Sequence, residues 1–96
     1  RFTESYSRYR ISRGFGYLHI KSDLSSRRVS DSLIDQYLIA DDEHWQVTAD
    51  ELTAKKLHGE TSISYGSKTH RKLLRFLESR GFAPIQIRKA LDKFLQ

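Results

Sequence analysis

The amino-acid sequence predicts an all-α fold of tandem three-helix repeats, elongated and with about six helices. Three observations lead there. Arg13-Gly14-Phe15-Gly16 returns sixty-seven residues later as Arg80-Gly81-Phe82-Ala83. The match extends outward at the same offset: Arg8 falls on Arg75, Tyr9 on Phe76, Leu18 on Ile85, Ile20 on Ile87, Lys21 on Arg88 and Leu24 on Leu91. Repetition at this period marks stacked supersecondary modules. Between the repeated motifs, apolar residues recur at helical rather than strand spacing. Each glycine corner stands where a helical pattern stops, as a left-handed C-terminal cap requires.

The elements follow in order. Phe2, Tyr6 and Tyr9 are spaced i, i+4, i+7, predicting a helix over about 2–13 with these aromatics on its buried stripe. Gly14 ends it, and Phe15 is expected to fold back over the last turn. A second helix runs from Tyr17 to about Ser26, burying Ile20 and Leu24, and Arg27-Arg28 stand at its negative end. Ser30 caps a third helix, with Val29 and Ile34 at staple spacing and Leu33, Ile34, Tyr37 and Leu38 on its inner face. Asp41-Asp42-Glu43 open a fourth, carrying Trp45, Ala49 and Leu52 inward, with Lys55-Lys56 near its end and Gly59 as its stop. Residues 59–67 read as a surface loop with Tyr65 exposed. Ser67 caps a fifth helix with Leu73, Leu74, Phe76 and Leu77 inside. Pro84 starts a sixth, on which Ile87, Leu91, Phe94 and Leu95 face the core up to the chain end.

Ninety-six residues place the chain near the size at which a single core is only marginally stable. With no cysteine, disulfide and thiol chemistry are closed, which fits a reducing compartment. No apolar run approaches the roughly 20 residues of a membrane helix, and no signal-peptide pattern opens the chain, so a cytoplasmic protein without membrane contact is expected. Arg1 stands in place of a methionine, and a fragment with a missing upstream segment is expected.

Charge is unevenly placed. Residues 1–40 carry seven Lys/Arg against four Asp/Glu, 41–60 two against six, and 61–96 eight against two. Two basic blocks around an acidic one, with an isoelectric point near 9.7, are the footprint of a nucleic-acid binder or of a partner for an acidic protein surface. The histidines His19, His44, His58 and His70 lack metal-ligand spacing, and no nucleophile and base stand out, so neither a metal, a cofactor nor an enzyme is expected. The glycines around Phe15 lack the Lys-Ser/Thr pair of a phosphate loop. No helix concentrates Asn, Gln and Arg in its first turn, which weakens a sequence-reading repressor.

Basic residues that recur in both units carry the functional expectation: Arg8 with Arg75, Arg13 with Arg80, and Lys21 with Arg88. Equivalent positions on equivalent modules are expected to form a continuous basic track that grips phosphates without reading bases. The candidate contacts in the first unit are Arg8, Arg10, Arg13, Lys21, Arg27 and Arg28. In the second they are Lys68, Arg71, Lys72, Arg75, Arg80 and Arg88.

These residues resemble a known family. The stretch Phe2-Thr3-Glu4-Ser5-Tyr6, continued by Tyr9-Arg10-Ile11-Ser12-Arg13-Gly14-Phe15-Gly16 and on to Leu24, Val29-Ser30, Ile34 and Leu38, resembles the middle repeat of the RecX proteins, bacterial regulators of the RecA recombinase. Trp45, Ala49, Leu52, Lys55-Lys56 and Gly59, then Phe76-Leu77-Glu78-Ser79-Arg80-Gly81-Phe82 and Ile87 to Leu91, resemble the last repeat. Tyr17 stands where the family commonly has proline. The resemblance implies three-helix repeats at 1–41 and 42–96 with a first repeat absent. It also implies binding in the groove of the RecA filament on single-stranded DNA, with double-stranded DNA left open, and suppression of filament growth, ATP hydrolysis and strand exchange. A monomer is expected. The alternative is a protein-interaction scaffold with incidental DNA affinity.

Overall fold

In the computed structural model, which describes residues 2–95, six α-helices follow one another: α1 (Phe2–Ser12), α2 (Tyr17–Ser26), α3 (Asp31–Tyr37), α4 (His44–Lys56), α5 (Lys68–Ser79) and α6 (Pro84–Asp92). They form an elongated body of 42 × 19 × 18 Å. Among the described residues, pairing of extended chain is limited to one isolated parallel bridge between Ile63 and Leu95, where the Ile63 amide donates to the Phe94 carbonyl at 2.7 Å. α6 stops at Asp92, and Phe94 and Leu95 hold the loop after α4 through this bridge.

Local chemistry explains the helix ends. Ser30 Oγ accepts from the Leu33 amide and Ser67 Oγ from the His70 amide, so both predicted serine caps are in place. At α6, Pro84 opens the helix and the Gln86 side chain reaches back to accept from the Ala83 amide at 3.0 Å. α4 begins at His44, later than the acidic run suggests. There Asp42 Oδ1 accepts from the His44 amide at 2.9 Å, while the Trp45 indole ties the preceding turn down by donating to the Ile39 carbonyl at 2.7 Å.

Two cores lie end to end. Ile20, Leu24, Ile34, Leu38 and Trp45 form the first; Ala49, Leu57, Ile63, Leu73, Leu77, Phe82, Ile87, Ala90 and Leu91 form the second. α4 serves both, with Trp45 in one and Ala49 in the other. Trp45 is thus buried as expected, at 3 % exposure.

Leu33 of α3, expected on the inner face, is 38% exposed, and the expected face of α1 is displaced. Phe2 and Tyr9 are more than half exposed, and the buried residues of α1 are Thr3 and Ser7. The ridge facing inward runs one position over, through Thr3, Ser7 and the half-buried Ile11. Thr3 and Ser7 are small, and Ser7 satisfies its hydroxyl within the helix by donating to the Thr3 carbonyl at 2.7 Å. The helix can then lie close to its neighbours at no cost in unpaired polar groups. Tyr6, half-buried on the flank, packs against the first core with Phe15 and Tyr17.

Candidate nucleic-acid interface

The repeated corners build the site. α1 and α5 end alike: Gly14 at φ 85° and Gly81 at φ 91° take the left-handed conformation. Phe15 donates back to Arg10 O and Phe82 to Leu77 O, the six-to-one bond of a Schellman cap. The corners also touch each other. The Gly16 amide donates to Arg80 O at 2.6 Å and the Leu18 amide to Gly81 O at 2.9 Å. Unpaired N–H groups at the start of α2 thus meet unpaired carbonyls at the end of α5, each completing the other.

Arg80 closes this contact. Its Nη1 donates to Arg13 O at 2.9 Å, and its guanidinium lies 4.7 Å from the Phe15 ring centre and 5.2 Å from that of Phe76. One aromatic comes from each side of the junction. Beneath it, His19 stacks on Phe15 at 4.2 Å. Burial, and then the cations of Arg10 and Arg80, hold the His19 imidazole below its ordinary pKa of 6.5.

The junction brings cations of both repeats alongside each other. A cleft of about 700 Å³ is lined by Arg8, Arg13 and Lys55, with Leu52 on its floor and Glu51 on its wall. It shares Arg13, Leu52 and Lys55 with a second hollow that adds Lys56, His58, Phe76 and Arg80. That hollow in turn shares Lys56, His58 and Phe76 with a third, reaching Thr69 and Lys72. The three form one groove whose walls carry Arg8, Arg13, Lys55, Lys56, Lys72 and Arg80. At one end Arg8 is paired with Glu4 at 2.7 Å.

The other predicted residues stand elsewhere. Arg10 and Arg27 lie over the Tyr6 ring, at 5.4 and 4.9 Å, and flank Asp23. Lys21 lies 5.7 Å above the Tyr17 ring. Arg71 donates to Gly66 O at 2.8 Å. Arg88 lines a separate cleft with Tyr65, Glu78 and Asp92. Arg28, Lys68 and Arg75 are exposed and line none of the three hollows. Of the repeat-related pairs, only Arg13 and Arg80 both reach the groove.

Lys55, Lys56 and His58 are groove residues outside the sequence-based set. They lie in the block whose charge balance is acidic, and no residue of the first unit stands sixty-seven positions before them, so neither the charge count nor the repeat points to them. Among the described residues, no three His, Asp or Glu side chains are grouped to hold a metal ion, and no helix is long and apolar enough to cross a membrane.

The comparisons with known proteins agree with one another. Residues 1–38 match the family model described as RecX, second three-helix domain. The regulatory protein RecX of Vibrio vulnificus is 33% identical over 92 residues, which cover 96% of this chain and 59% of that relative. Over nearly its whole length the chain is similar to RecX proteins. The RecX of Chromohalobacter salexigens is 35% identical over 91 residues, covering 95% of the chain and 58% of the relative. That of Legionella pneumophila is 34% identical over 82 residues, covering 85% and 53%. The chain therefore spans somewhat more than half the length of these RecX relatives, all of them named regulatory proteins. No solved structure matches the chain. An all-α chain of helical repeats, as the duplicated motif leads one to expect, fits the three-helix domain matched at residues 1–38.

Proposed function

We propose that the chain is a non-catalytic inhibitor of the RecA recombinase that lies along the RecA–single-stranded DNA filament and so modulates repair, recombination and the SOS response in the bacterial cytoplasm. Residues 1–41 and 42–96 act as successive repeats of one monomeric binding body, without a cofactor. The observation that carries this reading is the groove that crosses the junction: Arg8 and Arg13 come from the first repeat, and Lys55, Lys56, Lys72 and Arg80 from the second. Cations from both sides of a junction suit a phosphate backbone passing over it, because phosphate contact is additive in charge and indifferent to sequence.

A second reading has its own observation. Leu18 and Ile85, which are repeat equivalents, are 48% and 47% exposed and apolar, as residues meeting a protein surface are. In that reading the body is a scaffold for which DNA is incidental. Charge reversal at Lys55 and Lys56 separates the two when single-stranded DNA binding and filament ATP hydrolysis are measured together. Parallel loss of DNA binding and inhibition supports the groove; inhibition that survives the loss of DNA binding establishes the scaffold.

A further inference from the structure

The groove ends in a hollow of about 470 Å³ between the close of α4 and the first turns of α5, within the usual size of small-molecule sites. Its walls mix two chemistries. Thr69, Lys72 and Phe76 follow one another at i, i+3 and i+7 down one face of α5, offering a hydroxyl, an ammonium and a half-buried ring. Lys56, the last residue of α4, faces them with its Nζ 4.5 Å from the Phe76 ring centre. Leu57 and Leu73 supply an apolar floor.

His58 completes the wall in an unusual way. It holds the left-handed conformation at φ 52°, although Gly59, which adopts φ 91° without strain, follows immediately. In that conformation it lines the hollow together with Lys56 and Lys72.

We propose that this hollow binds one nucleoside monophosphate unit of a single strand, a proposal that rests on the groove being the nucleic-acid surface. Lys56, His58 and Lys72 hold the phosphate, with the Thr69 hydroxyl as a further donor. The sugar and base lie over Leu57, Leu73 and the Phe76 ring. Glu60, the carboxylate on the rim, accepts from a base N–H, such as the thymine imide. A duplex cannot offer an unstacked nucleotide, so the hollow gives the groove a preference for single strands.

The test is a nuclear magnetic resonance titration of the chain with thymidine 5′-monophosphate, thymidine and inorganic phosphate, beside binding of a long oligothymidylate. The proposal requires saturable shifts confined to amides of residues 56–60 and 69–76, stronger for the nucleotide than for either part. Lys72→Ala and His58→Ala, both exposed positions, then weaken nucleotide binding roughly tenfold each, as loss of a charge-assisted hydrogen bond does. Equal affinity for nucleotide and inorganic phosphate overturns it, leaving a plain anion site. Oligothymidylate binding without any nucleotide shift in the hollow also overturns it while leaving the groove reading intact. Loss of oligothymidylate binding altogether removes the groove and the hollow together.

Discussion

The amide nitrogen of Gly16 lies 2.6 Å from the carbonyl oxygen of Arg80, so the two copies of one sequence motif are bonded to each other across the junction of the repeats. The approach leaves no room for side chains. A methyl group on Gly16 would sit 2.7 Å from the Gly81 carbonyl and the Phe82 nitrogen, and one on Gly81 would strike the backbone of His19.

Replacement of these glycines therefore separates contact from conformation. Gly16 has φ −93°, which any residue adopts, so the cost of Gly16→Ala comes from crowding alone, about 1–3 kcal/mol. Gly81→Ala adds left-handed strain and is expected to cost roughly 3 kcal/mol or more. Gly59→Ala meets nothing within 4 Å and carries the strain only, about 1 kcal/mol. Urea unfolding followed by the fluorescence of Trp45, the single tryptophan, measures all three. Equal losses at Gly81 and Gly59 would show that the corners do not bear on each other.

Arg80 has a stabilising role that phosphate binding does not require. Arg80→Ala removes the bond to Arg13 O and the stacking between Phe15 and Phe76, at a cost of about 1–2 kcal/mol. Arg80→Lys is expected to recover less than half of this, because an ammonium cannot stack as a plane while donating sideways to a carbonyl. The urea midpoint of each variant gives the comparison, and full recovery by lysine would refute the planar account.

Much of this fold was legible in the residues. α2 runs from Tyr17 to Ser26 because Gly16 and the Arg27-Arg28 pair mark its ends, and Ser30 and Ser67 announce their helices by cap chemistry. α1 lies where its periodicity places it, but its inner face does not, because hydrophobicity favours Phe2 and Tyr9 as interior residues whereas close helix packing selects the small Thr3 and Ser7. The repeat showed that the glycine corners are equivalent, but equivalence carries no information about contact. The docking of Gly16 on Arg80 lies beyond any periodicity. For the same reason the groove was only half visible: its Arg13 and Arg80 recur, and its Lys55 and Lys56 do not.

His19 gives the junction a dependence on pH. Its folded pKa is lowered, first by burial and then by Arg10 and Arg80, so between that lowered value and 6.5 the unfolded chain binds more protons than the native one. Unfolding free energy consequently rises with pH across this window, and the His19 contribution is lost as pH falls from 6.5 through the lowered value. His19→Phe keeps a ring against Phe15 and removes the titration. Urea midpoints between pH 5 and 7 are expected to slope less in the variant than in the parent chain; identical slopes would mean that the imidazole ionises as freely in the fold as outside it.

Salt dependence locates the strand. A single-stranded backbone releases counterions as its phosphates are neutralised, and log K falls against log salt by about 0.7 per contact. Lys55→Ala and Lys56→Ala, in the middle of the groove, are each expected to lower that slope by about this amount and to weaken binding evenly across sequences. Arg75→Ala removes an equal charge from the exposed side of α5, outside the groove, and is expected to shift affinity only slightly with the slope unchanged. Lys55 and Lys56 have no repeat partner, whereas Arg75 has Arg8, so the comparison sets the geometry of the junction against the symmetry of the sequence. A slope that falls with Arg75 and holds with the lysines would place the strand along the repeat-related residues and off the groove.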